Sequence, residues 1–179
     1  MTQKLTFTTI LILLFLSCPK KLSYAEFEQN VFDEIFLKTV NSTYKDKRLY
    51  TFFPSREKGF NDPEYLRQRK ILENDTIGLV IALDNKRPIN FEKIKSDKFI
   101  FKKLSEIPED EEFRKWSEKY PKFAGVMSFS KIRFDNKNEN GELDVSYTCG
   151  GRCGLGYKVS IKKENQKWVI VKIEQTWIS

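Results

Sequence analysis

The sequence has 179 residues, with 32 lysines and arginines against 25 aspartates and glutamates, a net charge of +7, three cysteines and no histidine. The lack of histidine excludes Ser-His-Asp and Cys-His catalytic sites. The basic residues are spread along the chain rather than gathered in a block, so no nucleic-acid partner is expected.

The first 25 residues have the organisation of an export signal. Lys4 precedes an apolar run over residues 5–16, and residues 23–25 (Ser-Tyr-Ala) provide a small-x-small cleavage site. The apolar run is too short for a membrane span. We therefore predict a signal peptide over residues 1–25 and an exported protein, either periplasmic or secreted. Removal of residues 1–25 takes away three lysines and no acidic residue, so the net charge of the mature part, residues 26–179, is +4 instead of +7.

A second processing route leads to Cys18. Residues 15–17 (Phe-Leu-Ser) and this cysteine form a tetrad that resembles the lipobox of bacterial lipoproteins, which are cut before a cysteine that carries the lipid. Cleavage after Ala25 is the preferred interpretation, and lipidation of Cys18, giving a lipid-anchored product, is the alternative. Either route leaves Cys149 and Cys153 as the remaining thiols. An even pair in an oxidising compartment predicts a disulfide.

The mature chain is predicted to form one domain, because no linker, repeat or low-complexity segment divides it. Apolar residues at helical spacing predict a helix over residues 26–40, and a capping aspartate and a proline open a second over 61–72. The apolar run within 76–84 predicts a buried strand. It is far too short to cross a bilayer, so no transmembrane span is expected in the mature chain. A third helix is predicted over 108–120, with acidic residues in its first turn.

From Gly125 onward the sequence alternates with a period of two, which is typical of strands with one buried face. Four strands are predicted, over residues 125–134, 142–149, 156–163 and 167–179. Their short connections indicate antiparallel neighbours. We therefore expect an α+β fold, a single domain with a four-stranded antiparallel C-terminal meander packed against two or three helices. Trp168 and Trp177 are separated by an odd number of positions and should point to opposite faces of the last strand.

The glycine-rich segment TCGGRCGLGYK, residues 148–158, contains both remaining cysteines. We interpret it as a hairpin end closed by a disulfide between Cys149 and Cys153. The glycines would supply the positive φ angles of such a tight ring, with Arg152 beside them. The candidate binding loop therefore consists of Gly150, Gly151, Arg152, Gly154 and Gly156.

Other interpretations of this loop are weaker. Redox chemistry needs a thiolate of lowered pKa, and a Cys-x-x-x-Cys between two strands has no helix dipole to lower it. No metal is expected, because two cysteines without histidine cannot complete a zinc site. The segment lacks the Gly-Lys-Ser/Thr ending of a phosphate-binding loop. A small anion site formed by glycine amides beside Arg152 stays open as a minor alternative.

The same segment carries a resemblance to known sequences. The pattern YTCGGRCGLGY, followed by KWVIV and the terminal TWIS, resembles the C-terminal third of an uncharacterised group of exported bacterial proteins. The preceding VMSFSKIRF is similar to their upstream strand, and the resemblance covers about residues 125–179. The group has no known activity, so the resemblance implies export and a shared domain but no catalytic residue or cofactor.

No catalytic residue or cofactor is predicted from the residues themselves either. The densest acidic cluster, residues 108–112, is most simply the first turn of a helix, where the helix dipole favours negative charge. We therefore predict an exported, non-enzymatic domain that binds a protein, a glycan or an envelope component through the Arg152 loop or the aromatic-rich sheet. The alternative is a hydrolase that uses a pair of carboxylates.

Overall fold

The computed structural model describes residues 22–48, 54, 57–83, 89–107, 115–120, 122–150 and 152–179. The helices of this part are α1 (Tyr24–Thr43), α2 (Pro63–Asn74) and the single-turn α3 (Trp116–Lys119). Short 3₁₀ turns occupy Gly59–Asn61, Phe91–Lys93 and Leu104–Glu106. The strands are β1 (Ile77–Leu83), β2 (Phe99–Lys103), β3 (Phe123–Phe129), β4 (Arg133–Phe134), β5 (Asn140–Gly150), β6 (Cys153–Glu164) and β7 (Lys167–Ile178).

The strands form one mixed sheet of seven, in the order β2-β1-β3-β5-β6-β7, with β4 paired to β5 beside that path. Strand β1 runs parallel to both β2 and β3. From β3 to β7 the neighbouring strands are antiparallel. The longest strands, β5 to β7, therefore make one half of the sheet as two successive hairpins.

The expected α+β class is confirmed, but the predicted four-stranded antiparallel meander is wrong. The sheet is mixed because β1 adds in parallel to β3 and carries β2 on its other edge. No strand was expected at β2, which is short and ends in two lysines. The predicted strand 125–134 is also divided into β3 and β4, since the backbone amide of Ile132 turns to the carboxylate of Glu28 in α1, 2.8 Å away.

Several sequence predictions fall wholly or partly outside the described residues. Most of the predicted signal peptide, with Cys18, lies in residues 1–21, and Gly151 also lies outside. Of the helix predicted over 108–120, the structure describes the turn Trp116–Lys119, whereas residues 108–114 are outside its described part. Among the helices that are described, none is long and apolar enough to cross a membrane.

Helix α1 begins at Tyr24, slightly ahead of its predicted start. The Ser23 hydroxyl accepts a hydrogen bond from the amide of Glu26 at 3.2 Å, and the Glu26 carboxylate accepts one from the amide of Ser23 at 2.8 Å. These bonds to Ser23 lower the pKa of Glu26, because they favour its ionised form. The Tyr24 ring packs edge-on against Phe134, with centroids 6.2 Å apart. The two reciprocal hydrogen bonds between Ser23 and Glu26 form a capping box, which fixes the first turn of the helix.

One face of the sheet is covered by α1. Two carboxylates tie the helix to it: Glu28 accepts from the Ile132 amide at 2.8 Å, and Glu34 accepts from the Trp168 amide at 3.0 Å. Such charge-assisted bonds are stronger than neutral ones, and they satisfy backbone donors that strand pairing does not use. The apolar stripe of the helix is buried in the main core and consists of Val31, Phe32, Ile35, Phe36 and Val40.

The opposite face of the sheet has two different halves. Over β1 and β3 it carries a second apolar cluster, made by Val80, Ile107 and Trp116 with Tyr120, Phe123 and Val126 packed against it. Over β5 and β6 the residues that alternate with the buried ones are polar: Asp144, Ser146, Thr148, Lys158 and Ser160. This polar half of the face carries the candidate site.

A partly buried ion pair follows α1. The guanidinium of Arg48 donates to both carboxylate oxygens of Asp46, at 3.0 and 2.9 Å, and to the Thr76 carbonyl at 3.3 Å. Burial alone would raise the pKa of Asp46, but the hydrogen bonds and the positive charge of Arg48 outweigh it and hold that pKa below its ordinary value of 3.8.

This pair predicts a loss of stability in acid. A carboxylate with a depressed folded-state pKa stabilises the fold above pH 3.8, and that contribution disappears as the pH falls below this value. We expect Asp46→Asn to lower the free energy of unfolding by about 1 to 2 kcal/mol at pH 7 and by clearly less near pH 3. Urea denaturation of both proteins at the two pH values measures the difference. A deficit of the variant that stayed constant down to pH 3 would contradict the prediction.

Candidate binding surface

A disulfide closes the hairpin between β5 and β6. It joins Cys149, near the end of β5, to Cys153, the first residue of β6, and their Cα atoms are 5.2 Å apart. Gly150 and Cys153 are direct partners across the hairpin, after a register shift that follows Thr148. The predicted cysteine pair therefore lies where the sequence placed it, at the end of the hairpin.

The two sides of this turn have different characters. Gly150 has a φ of +155°, a conformation that residues with a side chain rarely adopt, and an added Cβ there would meet nothing within 4 Å. Its glycine is needed for backbone conformation, as predicted. Arg152 is exposed in the turn, and no ion-pair partner contacts it within the part of the chain that the structure describes.

Gly154 and Gly156 have another role, and the prediction that they supply positive φ angles is wrong. Neither has a positive φ. Both belong to β6 and, being two residues apart, present the same face of the sheet. Trp177 of β7, the direct partner of Gly156, lies over them. A Cβ at Gly154 would be 2.8 Å from Cζ3 of Trp177, and one at Gly156 would overlap its indole nitrogen. These positions are glycine because the indole occupies the space of their side chains.

The indole lies face down on this glycine floor. A carbon added at Gly156 would be nearest to Nε1 and farther, by similar amounts, from the bonded neighbours Cδ1 and Cε2, which is the relation expected for a position above the ring plane. Trp177 is nevertheless 45% exposed, so its outer face meets solvent. We call Gly154, Gly156 and Trp177 the Trp177 platform.

Trp168 lies on the other face of the same strand. It is 4% exposed and packs against the rings of Phe27 and Phe134, at centroid distances of 6.2 and 5.4 Å. The predicted opposition of the two tryptophans is therefore confirmed. Two register shifts lie between the pairs Lys163–Trp168 and Gly156–Trp177. Each shift reverses the face to which alternate residues of β7 point, so the two shifts together leave the tryptophans on opposite faces.

Polar side chains surround the Trp177 platform on its own face. On β5, Ser146 and Thr148 are the direct partners of the two floor glycines, and on the next rung Lys158 of β6 pairs with Glu174 of β7. Neighbouring strands are about 4.8 Å apart, and same-face residues along a strand are about 7 Å apart. Hydroxyl, ammonium and carboxylate groups thus lie within one or two such spacings of the indole.

The disulfide is expected to contribute modestly to stability. Replacing both Cys149 and Cys153 with serine should lower the free energy of unfolding by at most about 2 kcal/mol, since closing so short a loop removes little entropy from the unfolded chain. Urea denaturation measures the change, and the wild-type protein unfolded in the presence of a reductant is the matched control. A double variant as stable as the oxidised protein would contradict the assigned role.

The glycines of the Trp177 platform were visible in the sequence, but they were interpreted as turn residues. Glycines in a hairpin segment usually indicate turn geometry, and Gly150 fits that rule. Gly154 and Gly156, however, are spaced as alternate residues within a strand pattern, and such glycines also mark the close approach of another group. That group comes from a different strand, so only the register of β6 against β7 identifies it.

The described residues expose the Trp177 indole beside serine and threonine residues on one face of the sheet. Within the described residues, no group of three or more histidine, cysteine, aspartate or glutamate side chains could hold a metal ion. A scan against protein-family models, a search of curated proteins and a search of solved structures each found no match.

Proposed function

We propose that the chain is an exported, non-enzymatic domain that binds its partner through the hairpin end and the Trp177 platform. The observation that carries this proposal is an indole that is 45% exposed and yet held against two strand glycines. Aromatic side chains dominate binding surfaces because they offer a large contact area and lose little conformational entropy. A position that keeps such a group rigid and open to solvent is suited to recognition.

Export is supported by two features of different kinds. The apolar leader with its small-x-small site has the pattern of a signal peptide. The Cys149–Cys153 disulfide is of a type that persists in oxidising compartments and is rare in the cytosol.

The scaffold behind the surface supports binding as well. The hairpin end is held by a disulfide, by the ladders of β5 to β7 and by a pair of hydrogen bonds between Gly154 and Ser179, at 3.0 and 3.3 Å. Binding residues are commonly carried at the ends of such rigid sheets. A protein, a glycan or an envelope component are the partner classes considered, and the dispersed basic residues argue against nucleic acid.

The export part of the proposal is tested by intact mass. The full chain, with its own leader, is expressed in a bacterial host, and the cell fractions are separated. We expect a processed protein outside the cytoplasm, with two thiols that react with an alkylating reagent only after reduction. The mass also separates a product that begins at Glu26 from one that carries a lipid on Cys18. An unprocessed cytoplasmic protein with free thiols would overturn the proposal.

The binding part is tested by sedimentation with isolated cell envelopes. Purified wild-type protein is expected to sediment with the envelope fraction, and the double variant Arg152→Ala/Trp177→Ala is expected to stay in solution. Lys137→Ala is the matched control, because Lys137 is an exposed cation in the turn at the opposite end of β5. A wild-type protein that did not sediment would overturn envelope binding, and hydrolysis of envelope polymers during the assay would overturn the non-enzymatic assignment.

A further inference from the structure

We propose that the Trp177 platform is the stacking site for a neutral glycan, an inference that rests on the proposed binding function and specifies its ligand. One face of the indole lies on Gly154 and Gly156, and the opposite face is available to a ligand. Indole faces carry negative charge density, whereas the C–H groups on one side of a pyranose ring are weakly positive. The two surfaces are therefore complementary in shape and in charge.

The indole is already ordered for such stacking. Trp177 is held in register with Gly156, and the chain beyond it is fixed by the hydrogen bonds between Ser179 and Gly154. The glycine floor supports the ring from below along most of its length, from Nε1 to Cζ3. A ligand that stacks on a ring in this position has little side-chain entropy to remove, which favours binding.

The neighbouring groups match the hydroxyls of a sugar. Ser146 and Thr148 can both donate and accept hydrogen bonds, Lys158 can donate, and Glu174 can accept. By register these four residues lie on the face of the indole, on the same rungs as the floor glycines and on the next rung. Their spacing, about 5 to 7 Å, is comparable to the width of one sugar ring. A glycan can therefore stack and hydrogen-bond at the same time.

The charges on this face favour a neutral ligand. Lys172 pairs with Glu174 at 2.9 Å, and Arg133 pairs with Asp144 at 2.8 Å. These two pairs create little net field that would select an anion, and Lys158, which has no ion-pair partner among the described residues, shares this face with the carboxylate of Glu142.

The surroundings also favour a glycan over a protein. Protein interfaces usually have an apolar core, and here a single indole stands among serine, threonine, lysine and glutamate. The exposed Ile178 is the partner of Leu155, a core residue, so it lies on the face away from Trp177 and does not extend the apolar area.

The test is a calorimetric titration of the full mature chain with chitotetraose, cellotetraose and maltotetraose, three neutral tetrasaccharides, and with the anionic tetragalacturonate. We expect wild-type protein to bind at least one neutral tetrasaccharide, and Trp177→Ala to weaken that binding by about tenfold or more. Gly156→Ala should weaken it similarly, because the new methyl group displaces an intact indole. Trp177→Phe should retain part of the affinity, and Gly59→Ala, whose Cβ meets nothing within 4 Å in a turn outside the sheet, is the glycine control.

The outcomes separate this inference from the function on which it rests. Absence of binding to all three neutral tetrasaccharides, or a preference for tetragalacturonate, overturns the neutral-glycan site. The neutral-glycan site is also overturned if Trp177→Ala and Gly156→Ala bind the tetrasaccharide as tightly as the wild-type protein does, provided that thermal unfolding shows both variants to be folded. If the protein still sediments with envelopes in any of these cases, the binding function stands and its ligand is of another class. If it neither sediments nor binds a tetrasaccharide, the neutral-glycan site and envelope binding both fail.

Discussion

Replacing Gly125 with alanine is expected to lower the free energy of unfolding by about 3 to 5 kcal/mol. Gly125 has a φ of +145°, and an added Cβ would lie 2.5 Å from the Thr148 carbonyl oxygen and 2.6 Å from the Tyr147 ring. Neither neighbour can move easily. Thr148 belongs to the ladder between β3 and β5, and the fully buried Tyr147 donates a hydrogen bond to the Ala124 carbonyl at 2.5 Å.

Gly150→Ala is the matched control for this substitution. Gly150 has a similar φ of +155°, but its added Cβ would meet nothing within 4 Å, so this variant suffers the backbone strain without the steric clash. We expect it to lose about 1 kcal/mol. Urea denaturation of both variants separates the two contributions. Equal losses at the two positions would show that the close approach of β5 to Gly125 is unimportant.

Replacing Phe36 with alanine is expected to cost about 3 to 5 kcal/mol. Phe36 is completely buried where α1 meets the sheet, and its ring contacts those of Phe32, Phe101 and Phe129, with centroids 5.5, 5.1 and 5.5 Å away. Removing the ring leaves a cavity that rigid neighbours from three elements cannot fill. Since domains are stable by only about 5 to 15 kcal/mol, this loss should lower the melting temperature by about 10 °C.

Phe60→Ala controls for the loss of an aromatic ring as such. Phe60 is 66% exposed, and its ring touches that of Tyr65 at a centroid distance of 5.8 Å. We expect it to change the free energy of unfolding by less than about 1 kcal/mol. Phe36→Leu should fall between the two variants, because it keeps most of the buried volume. A loss at Phe36→Ala no larger than at Phe60→Ala would contradict the assigned packing of α1.

The sequence predicted those elements whose signal is local. The stripe of α1 and the alternation of β5 to β7 are each contained in one segment, and the structure has them close to where they were expected. The strands that pair with β1 could not be predicted from its own segment. Leu79 and Ile81 face the main core and Val80 faces the second cluster, so this strand is buried on both sides. A continuous apolar run indicates such burial, but it does not name the neighbouring strands or their direction.

The candidate site shows the same division between local and distant information. The cysteine spacing was enough to predict the disulfide, because both residues belong to one hairpin. The purpose of Gly154 and Gly156 depends on Trp177, which reaches them from the next strand. The sequence shows that a tryptophan and two glycines are present, but only the pairing of β6 with β7 shows that the Trp177 indole covers Gly154 and Gly156.

If the leader is removed as proposed, the capping box of α1 links the position of the cut to the stability of the fold. A peptidase that cut after Ala25 would remove Ser23, which caps the helix, and Tyr24, which packs on Phe134. The released domain would begin with a frayed first turn and would lose about 1 kcal/mol of stability. A chain that begins at Cys18 would keep both residues. Under the proposed export, the cleavage site would therefore decide both whether the protein carries a lipid anchor and whether its first helix keeps its N-terminal cap.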